Sequence, residues 1–485
     1  MFLDVKDRVF LFYLFLIIVI ATLTYASYYY MPAAAFWDEN YHIASAQKYI
    51  EGVMFMEPHP PLGKLLIAFG EWALDPNTYI NISHYAATDY IKDFPKGYSF
   101  AGVRLMPVIF SVLSAVLFFL ILFRISKRAQ ISFLFSSFYL FSNAFILHSR
   151  AAMLESIQIF FIFLSLFYFL ILLDRKQKGW KEYLILGLFI GLAVAVKLNS
   201  LILTLLFPFL FFYNFGSSLG MAFHLKKFIA YGISMLTGIL IIWIGVFYIH
   251  FSLGSKMGVN SYKASAEYKV IIEKGENTNI LNFTVMMRDN LKYMAGYAQG
   301  VPRYDACKKG ENGSLAITWP VGNKSINYSW NKKDGKVSYR YLQANPIIWF
   351  SVLFGMILAT SLIIGRVVFA IQIKDHRLFY IILTLSAMYY SYMIVMINIA
   401  RVLYLYHYFV PLFFGAFVFF TIYCYIFKEE LEENDLIIKV ATFLFVAVVI
   451  YVFYFFSPFT YFEPLDVIEF MERNWFDFWK LEPVL

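Results

Sequence analysis

The chain has 485 residues, of which 61% are hydrophobic and 15% charged, with 55 Phe and 37 Tyr; average soluble domains are about a quarter charged, so one soluble globule is excluded. The formal net charge of +8 sits in short basic loops between apolar runs, forming no stripe or cluster, which argues against nucleic acid as a partner and for the lipid bilayer as the main solvent. Cys307 and Cys424 are too few for a disulfide framework or a thiolate metal site.

In chain order, the first apolar run, Val9 to Ala26, follows Lys6 and Arg8 and is flanked by Tyr28-Tyr29-Tyr30. It exceeds a signal-peptide core and lacks a small-x-small cleavage site, so it is predicted to be a retained span. Windows of about 20 apolar residues predict further crossings over 101–123, 131–147, 152–173, 183–198, 200–215, 228–251, 346–365, 378–398, 402–427 and 437–456. The expectation is an all-α polytopic membrane protein with about eleven spans. Arg124 with Lys127 and Arg128, Arg175 with Lys176 and Lys178, Lys226-Lys227, and Arg366 with Lys374 and Arg377 all fall on the side of the N-terminus. That side is then cytoplasmic by the positive-inside rule. Two long polar segments, 27–100 and 252–345, land on the opposite face of a single membrane domain. Long loops of this kind usually carry function, so chemistry is expected there.

The first outer segment opens on Phe36-Trp37-Asp38-Glu39-Asn40-Tyr41-His42. Paired carboxylates beside aromatics at a membrane surface suit proton transfer by one and binding by the other, although a solvated helix cap would read the same. Further on, Glu57-Pro58-His59-Pro60-Pro61-Leu62-Gly63-Lys64 reads as a rigid turn that starts a helix. It leaves His59 on one side and Lys64 in the first helical turn, where a cation could meet an anionic ligand.

Asp38-Glu39, a short helix with Tyr49 and Gly52, and then His59-Pro60-Pro61-Leu62-Gly63-Lys64 resemble the first outer loop of the protein O-mannosyltransferases. The resemblance runs along most of the chain. Arg104 matches an arginine at the outer start of the second span, and Arg150 to Glu155 an Arg-x-x-x-Leu-Asp stretch. Lys197 ends a Gly-rich span, Asn345-Pro346 precedes Trp349, and Arg401 and His407 lie in a late Arg-to-Tyr-His-Tyr segment. The resemblance implies the GT-C membrane glycosyltransferase fold and inverting transfer of mannose from a polyprenyl-phosphate donor to a Ser or Thr hydroxyl of a protein on the periplasmic or lumenal face. It requires neither metal nor other cofactor. It also implies Asp38 as general base and Glu39 as its positioning neighbour. Arg104 and Arg401 would be cations for the leaving phosphate, with His59, Lys64, Arg150, Glu155, Lys197 and His407 around the substrate. As structural alternatives, Arg150 and Glu155 would form an ion pair, Lys197 would snorkel and His407 would be a packing residue.

Departures exist. The family's outer His-Pro-Tyr reads Val301-Pro302-Arg303-Tyr304, and acidic positions carry Glu57 and Glu155 in place of Asp. The second loop is too short for the β-trefoil of fungal and animal members, which points to the bacterial branch, so the expected location is a bacterial inner membrane or the endoplasmic reticulum equivalent. The alternatives are a related lipid-linked sugar transferase, such as one placing aminoarabinose on lipid A, and a lipid-linked sugar transporter. The transporter reading lacks inverted repeats and midplane helix breaks.

Overall fold

The computed structural model describes residues 5–213, 221–308 and 310–484. Among these residues helices dominate, eight of them long and apolar enough to cross a bilayer, or nine if the bent pair Ala129–Leu140 and Asn143–Ser149 is one span. The protein is an integral, multi-pass membrane protein. The expected count of about eleven is therefore lowered by this measure. The stretches predicted as spans at 183–198 and 200–215 form a 15-residue helix, Trp180–Val194, and a 3-10 and α segment over Leu198–Tyr213. At 1.5 Å per residue the first is about 23 Å long, short of a hydrocarbon core of about 30 Å, the second changes helix type at its middle, and positions 214–215 lie outside the described residues.

The chain divides into two compact units. The first comprises Met1–Tyr25, Val112–His148 and Pro302–Leu485. Helix α1 (Val5–Ala21) packs Phe10 on Phe123, with ring centroids 4.8 Å apart. The Leu405–Ile426 span is the most enclosed, with 83% of its apolar window buried. Phe118 packs on its Phe417, and Phe135 on its Phe420. Aromatic pairs of this kind replace a hydrophobic driving force that lipid cannot supply between helices.

The second large loop adds a feature absent from the expected all-helical pattern. Strands β1 (Ile326–Lys333) and β2 (Lys336–Leu342) pair antiparallel around Asp334-Gly335. Both turn residues have positive φ, 51° and 76°, as a two-residue hairpin that follows strand twist requires. A short β3 (Pro464–Leu465) pairs with the other edge of β2, Val337 opposite Leu465.

The second unit comprises Ala26–Ser111 and Ser149–Val301. It holds α2 (Glu39–Glu51), α3 (Leu62–Leu74) and the outer part of α4 (Ala101–Ser126). The 15-residue Trp180–Val194 helix lies so close to the His224–Leu253 helix that a Cβ on Gly191 would meet Ile242 Cβ at 2.9 Å. Small residues permit this backbone approach.

Candidate active site

The second unit holds most of the residues expected from sequence, some of them in a polar network. Its hub is Arg104, fully buried on the first turns of α4. Its Nε and Nη2 donate to Glu39 Oε1 at 2.7 Å and Oε2 at 2.8 Å. Its Nη1 donates to the carbonyls of Tyr30 and Pro32, both at 3.1 Å, and Nη2 also reaches the Ala34 carbonyl at 2.9 Å. Phe100 and Phe36 cover the guanidinium, 4.3 and 5.6 Å from their centroids. A guanidinium has five N–H donors, and this one has five protein contacts. No donor remains for a phosphate, so the expected role of Arg104 as a phosphate cation does not fit its geometry.

Glu39 is equally engaged. Besides Arg104, its Oε1 accepts from the Ala152 N–H at 2.8 Å and its Oε2 from the Phe36 N–H at 3.1 Å. His42, one turn along α2, meets the next peptide unit of the same segment, its Nδ1 2.7 Å from the Ala152 carbonyl. A carbonyl only accepts, so this nitrogen carries the proton. Burial, reinforced by the charge of Lys64, lowers the His42 pKa to about 3, and the ring is neutral. Arg150 donates to the Tyr28 carbonyl at 3.2 Å. Both arginines thus hold the segment from Tyr28 to Ala34 that leads into α2. Trp37, at the end of this lead-in, has φ of +56°, a conformation that costs a non-glycine residue about 1–3 kcal/mol and persists where neighbours over-determine it.

Asp38 emerges from this clamp as the N-cap residue of α2. Its carbonyl accepts from the Tyr41 and His42 N–H groups, both at 3.1 Å, yet its side chain does not cap the helix. The residue is half-buried, whereas Glu39 beside it is fully buried.

The lysines also differ from expectation. Lys64, on the first turn of α3, lies 2.6 Å from Glu57 Oε1 and 3.2 Å from Ser45 Oγ, and both charged partners are buried. Burial raises the pKa of Glu57, with Lys64 opposing that shift. Lys197 pairs with Glu155 on the first turn of the Glu155–Leu173 helix. Each lysine thus has its own carboxylate, so a direct role on phosphate would require breaking a pair. Gly63 is needed where the motif docks: a Cβ there would stand 2.8 Å from Leu154 Cδ2 and 3.1 Å from Val196 Cγ1. The Leu62 N–H donates to the Ala195 carbonyl at 3.0 Å. His59 is half-buried at the turn, its N–H directed at Glu57 Oε1 at 3.5 Å.

In the first unit, Arg401 and His407 flank the start of the Leu405–Ile426 span. His407 Nδ1 contacts its own turn, 3.0 Å from the Tyr404 carbonyl, and its ring lies 4.6 Å from Tyr406 and 6.2 Å from Trp319 in stacked orientation. His148 stacks on Tyr406 and reaches the Tyr328 hydroxyl at 2.8 Å. Arg401 is half-buried and forms an isolated antiparallel bridge with Arg303.

With this geometry in view, residues 15–254 match the family model for dolichyl-phosphate-mannose-protein mannosyltransferase, and residues 292–479 match that for the C-terminal four TMM region of protein-O-mannosyltransferase. The chain belongs to the protein O-mannosyltransferase family. Among its relatives, dolichyl-phosphate-mannose–protein mannosyltransferase 1 of Candida albicans is 28% identical over 235 residues, covering 47% of this chain and 26% of that protein. Protein O-mannosyl-transferase 1 of Rattus norvegicus is 23% identical over 258 residues, covering 50% of this chain and 34% of that protein. The matches thus span a third or less of these relatives' length. The solved Saccharomyces cerevisiae protein O-mannosyltransferase Pmt1-Pmt2 complex bound to the sugar donor superposes with a TM-score of 0.81, covering 99% of this chain and 93% of that one. At 14% identity that likeness establishes the GT-C fold alone.

Several residues of the chain escape a motif reading. Lys48 is buried and pairs with Asp89, which Lys263 also reaches at 3.0 Å. These cations hold the Asp89 pKa down against the effect of burial, while burial lowers that of Lys48. The Asn290 side chain accepts from the Glu57 N–H at 2.9 Å and donates to its carbonyl at 3.3 Å. Only the seven-residue step from Glu57 to Lys64, bent back by the prolines, could have signalled any of this pairing.

Proposed function

We propose that this chain is an inverting glycosyltransferase that moves mannose from a polyprenyl-phosphate donor to a Ser or Thr hydroxyl of a protein on the non-cytoplasmic face of the membrane. The acceptor oxygen attacks the anomeric carbon as its bond to the phosphate oxygen breaks. The bonding pair leaves with the lipid phosphate, the sugar inverts, and Asp38 takes the hydroxyl proton. A hydroxyl is a weak nucleophile unless its proton is removed as the bond forms.

The observation that carries this assignment is the unequal state of the two adjacent carboxylates. Glu39 is fully buried, its oxygens facing Arg104, Ala152 and Phe36, whereas Asp38 is half-buried at the rim of the same clamp. Asp38 is then the base and Glu39 its positioning residue, with Arg104 and Arg150 holding the lead-in. Arg401 is the cation for the leaving phosphate, whose growing charge calls for fixed donors. His59, Lys64, Glu155, Lys197 and His407 shape the surroundings through the contacts described.

The chemistry belongs on the outer face by the distribution of loop charges. The Val53–Lys256 bridge and the Glu57–Asn290 bonds support one shared face for the first outer segment and the start of the second. The test is transfer of radiolabelled mannose from polyprenyl-phosphate mannose to a Ser/Thr-rich peptide by the purified protein. Wild type should transfer and Asp38→Asn should not, with donor binding retained. Absence of transfer by wild type, with another lipid-linked sugar consumed, would overturn the mannose assignment.

A further inference from the structure

Arg104, Lys64 and Lys197 are all held by protein carboxylates, so the cations that face a ligand must be sought elsewhere. Arg303 and Arg401 are directly opposed on two chain segments that come together for a single antiparallel bridge. The Val402 N–H donates to the Pro302 carbonyl at 2.8 Å, a bond that flanks the pair without joining it. This is the narrow register, in which opposed Cβ atoms approach to about 4.5–5.5 Å. Like charges so placed destabilise a strand pair. The arrangement is nevertheless fixed on its other side, where the Ser314 N–H donates to the Leu403 carbonyl at 2.9 Å.

Among the described residues no carboxylate lies within ion-pairing distance of either guanidinium. The acidic side chains on the adjoining loop are turned to its own backbone: Asp305 accepts from the Cys307 N–H at 2.9 Å and Glu311 from the Gly313 N–H at 2.7 Å. Arg303 is exposed and Arg401 half-buried, and three residues separate Arg401 from the apolar Leu405–Ile426 span. Two opposed cations at the foot of a span match an anion carried at the membrane surface.

We propose that Arg303 and Arg401 together clamp one phosphate group borne on a lipid. This rests on the reading of a lipid-phosphate donor and adds Arg303, on the second outer segment, as a second ligand. Two guanidinium forks closing on one phosphate remove the mutual repulsion of the pair and give bidentate, charge-assisted contacts.

The experiment measures binding of a C55 polyprenyl monophosphate, and of the uncharged C55 polyprenol, to the purified full chain in detergent. It compares wild type, Arg303→Gln, Arg303→Lys, Arg401→Gln and the exposed-surface control Arg288→Gln, and follows mannose transfer in parallel. Arg303→Gln and Arg401→Gln should each weaken the phosphate lipid by about 10- to 100-fold, with polyprenol binding and melting temperature unchanged. Arg303→Lys should recover part of the loss, and Arg288→Gln should behave as wild type. Unchanged phosphate-lipid affinity in Arg303→Gln overturns the clamp. So does equal, Arg303-dependent affinity for inorganic phosphate, or for phosphatidylglycerol in nanodiscs, since the lipid-borne donor phosphate would then have no preference. The two readings fail separately. Transfer by wild type with no Arg303 effect removes the clamp alone, whereas an Arg303-dependent affinity in a protein that transfers no mannose removes the donor assignment alone.

Discussion

Replacing Arg104 by lysine keeps one positive charge and discards the guanidinium fork. An ammonium offers three donors to the five contacts Arg104 makes with Glu39, Tyr30, Pro32 and Ala34, so at least two are lost. At about 1–3 kcal/mol for each buried contact left unmade, the lead-in to α2 loosens by roughly 2–6 kcal/mol. That is enough to release the strain at Trp37, whose φ of +56° needs its neighbours to hold it. If about 2–5 kcal/mol of this falls on the placement of Asp38, kcat drops about 30-fold to several thousandfold, since 1.36 kcal/mol is tenfold in rate. The assay pairs mannose-transfer kinetics with polyprenyl-phosphate binding on Arg104→Lys and wild type. The expected pattern is a fall in kcat with lipid-phosphate affinity kept within about twofold, because every Arg104 donor faces protein. A tenfold loss of lipid-phosphate affinity at unchanged kcat would refute the reasoning and return Arg104 to the phosphate.

Asp38→Asn should lower transfer by about 10²–10⁴-fold, the range for removal of a general base, measured as single-turnover transfer at saturating donor. Gly63→Ala should cost roughly 1–3 kcal/mol through the crowding against Leu154 and Val196, seen as a lower melting temperature. Glu57→Gln leaves Lys64 buried without its carboxylate and should cost about 3–5 kcal/mol; adding Lys64→Met should recover much of it, and a thermal-shift series on both variants checks this. Burial raises the Glu71 pKa from 4.5 to about 7, so its protonated form is favoured in the folded state. This stabilisation is fully present below about pH 4.5 and lost as pH rises through about 7, amounting to roughly 3 kcal/mol. Glu71→Gln should flatten the dependence of melting temperature on pH between 5 and 8, and an unchanged slope would show that another group controls it.

The long spans were readable because an apolar run of about 20 residues has few other uses. The Trp180–Val194 helix and the Leu198–Tyr213 segment defeat that rule, since what marks them is packing: Gly187 and Gly191 face the His224–Leu253 helix. Asp334-Gly335 is a strong hairpin signal, but in a loop rich in polar residues the flanking alternation is easily passed over. At the candidate site, residue type and order point to Asp38 and Glu39 without saying which of them is fully buried. The carbonyls of Tyr30, Pro32 and Ala34 decide the use of Arg104, and backbone acceptors leave no trace in side-chain identity. The pairings of Lys64 with Glu57 and of Lys197 with Glu155 likewise arise from folding over 7 and 42 positions.

The three-stranded sheet bears on biosynthesis. Its inner strand β2 pairs with β3, and the Lys324 and Ser325 N–H groups donate to the carbonyls of Phe478 and Trp479 at 3.0 and 2.9 Å. The partners of the 324–342 region are thus made only after four more apolar helices, Pro346–Val368, His376–Ile397, Leu405–Ile426 and Leu436–Tyr461, have left the ribosome. Until then Val337, Tyr339 and Tyr341 wait without the cover of Leu465, Phe470 and Trp479, with which they form one buried cluster. A chain halted before Pro464 would leave the Val337–Ser338 edge of β2 without its partner strand, an unpaired edge of the kind that proteins normally cover.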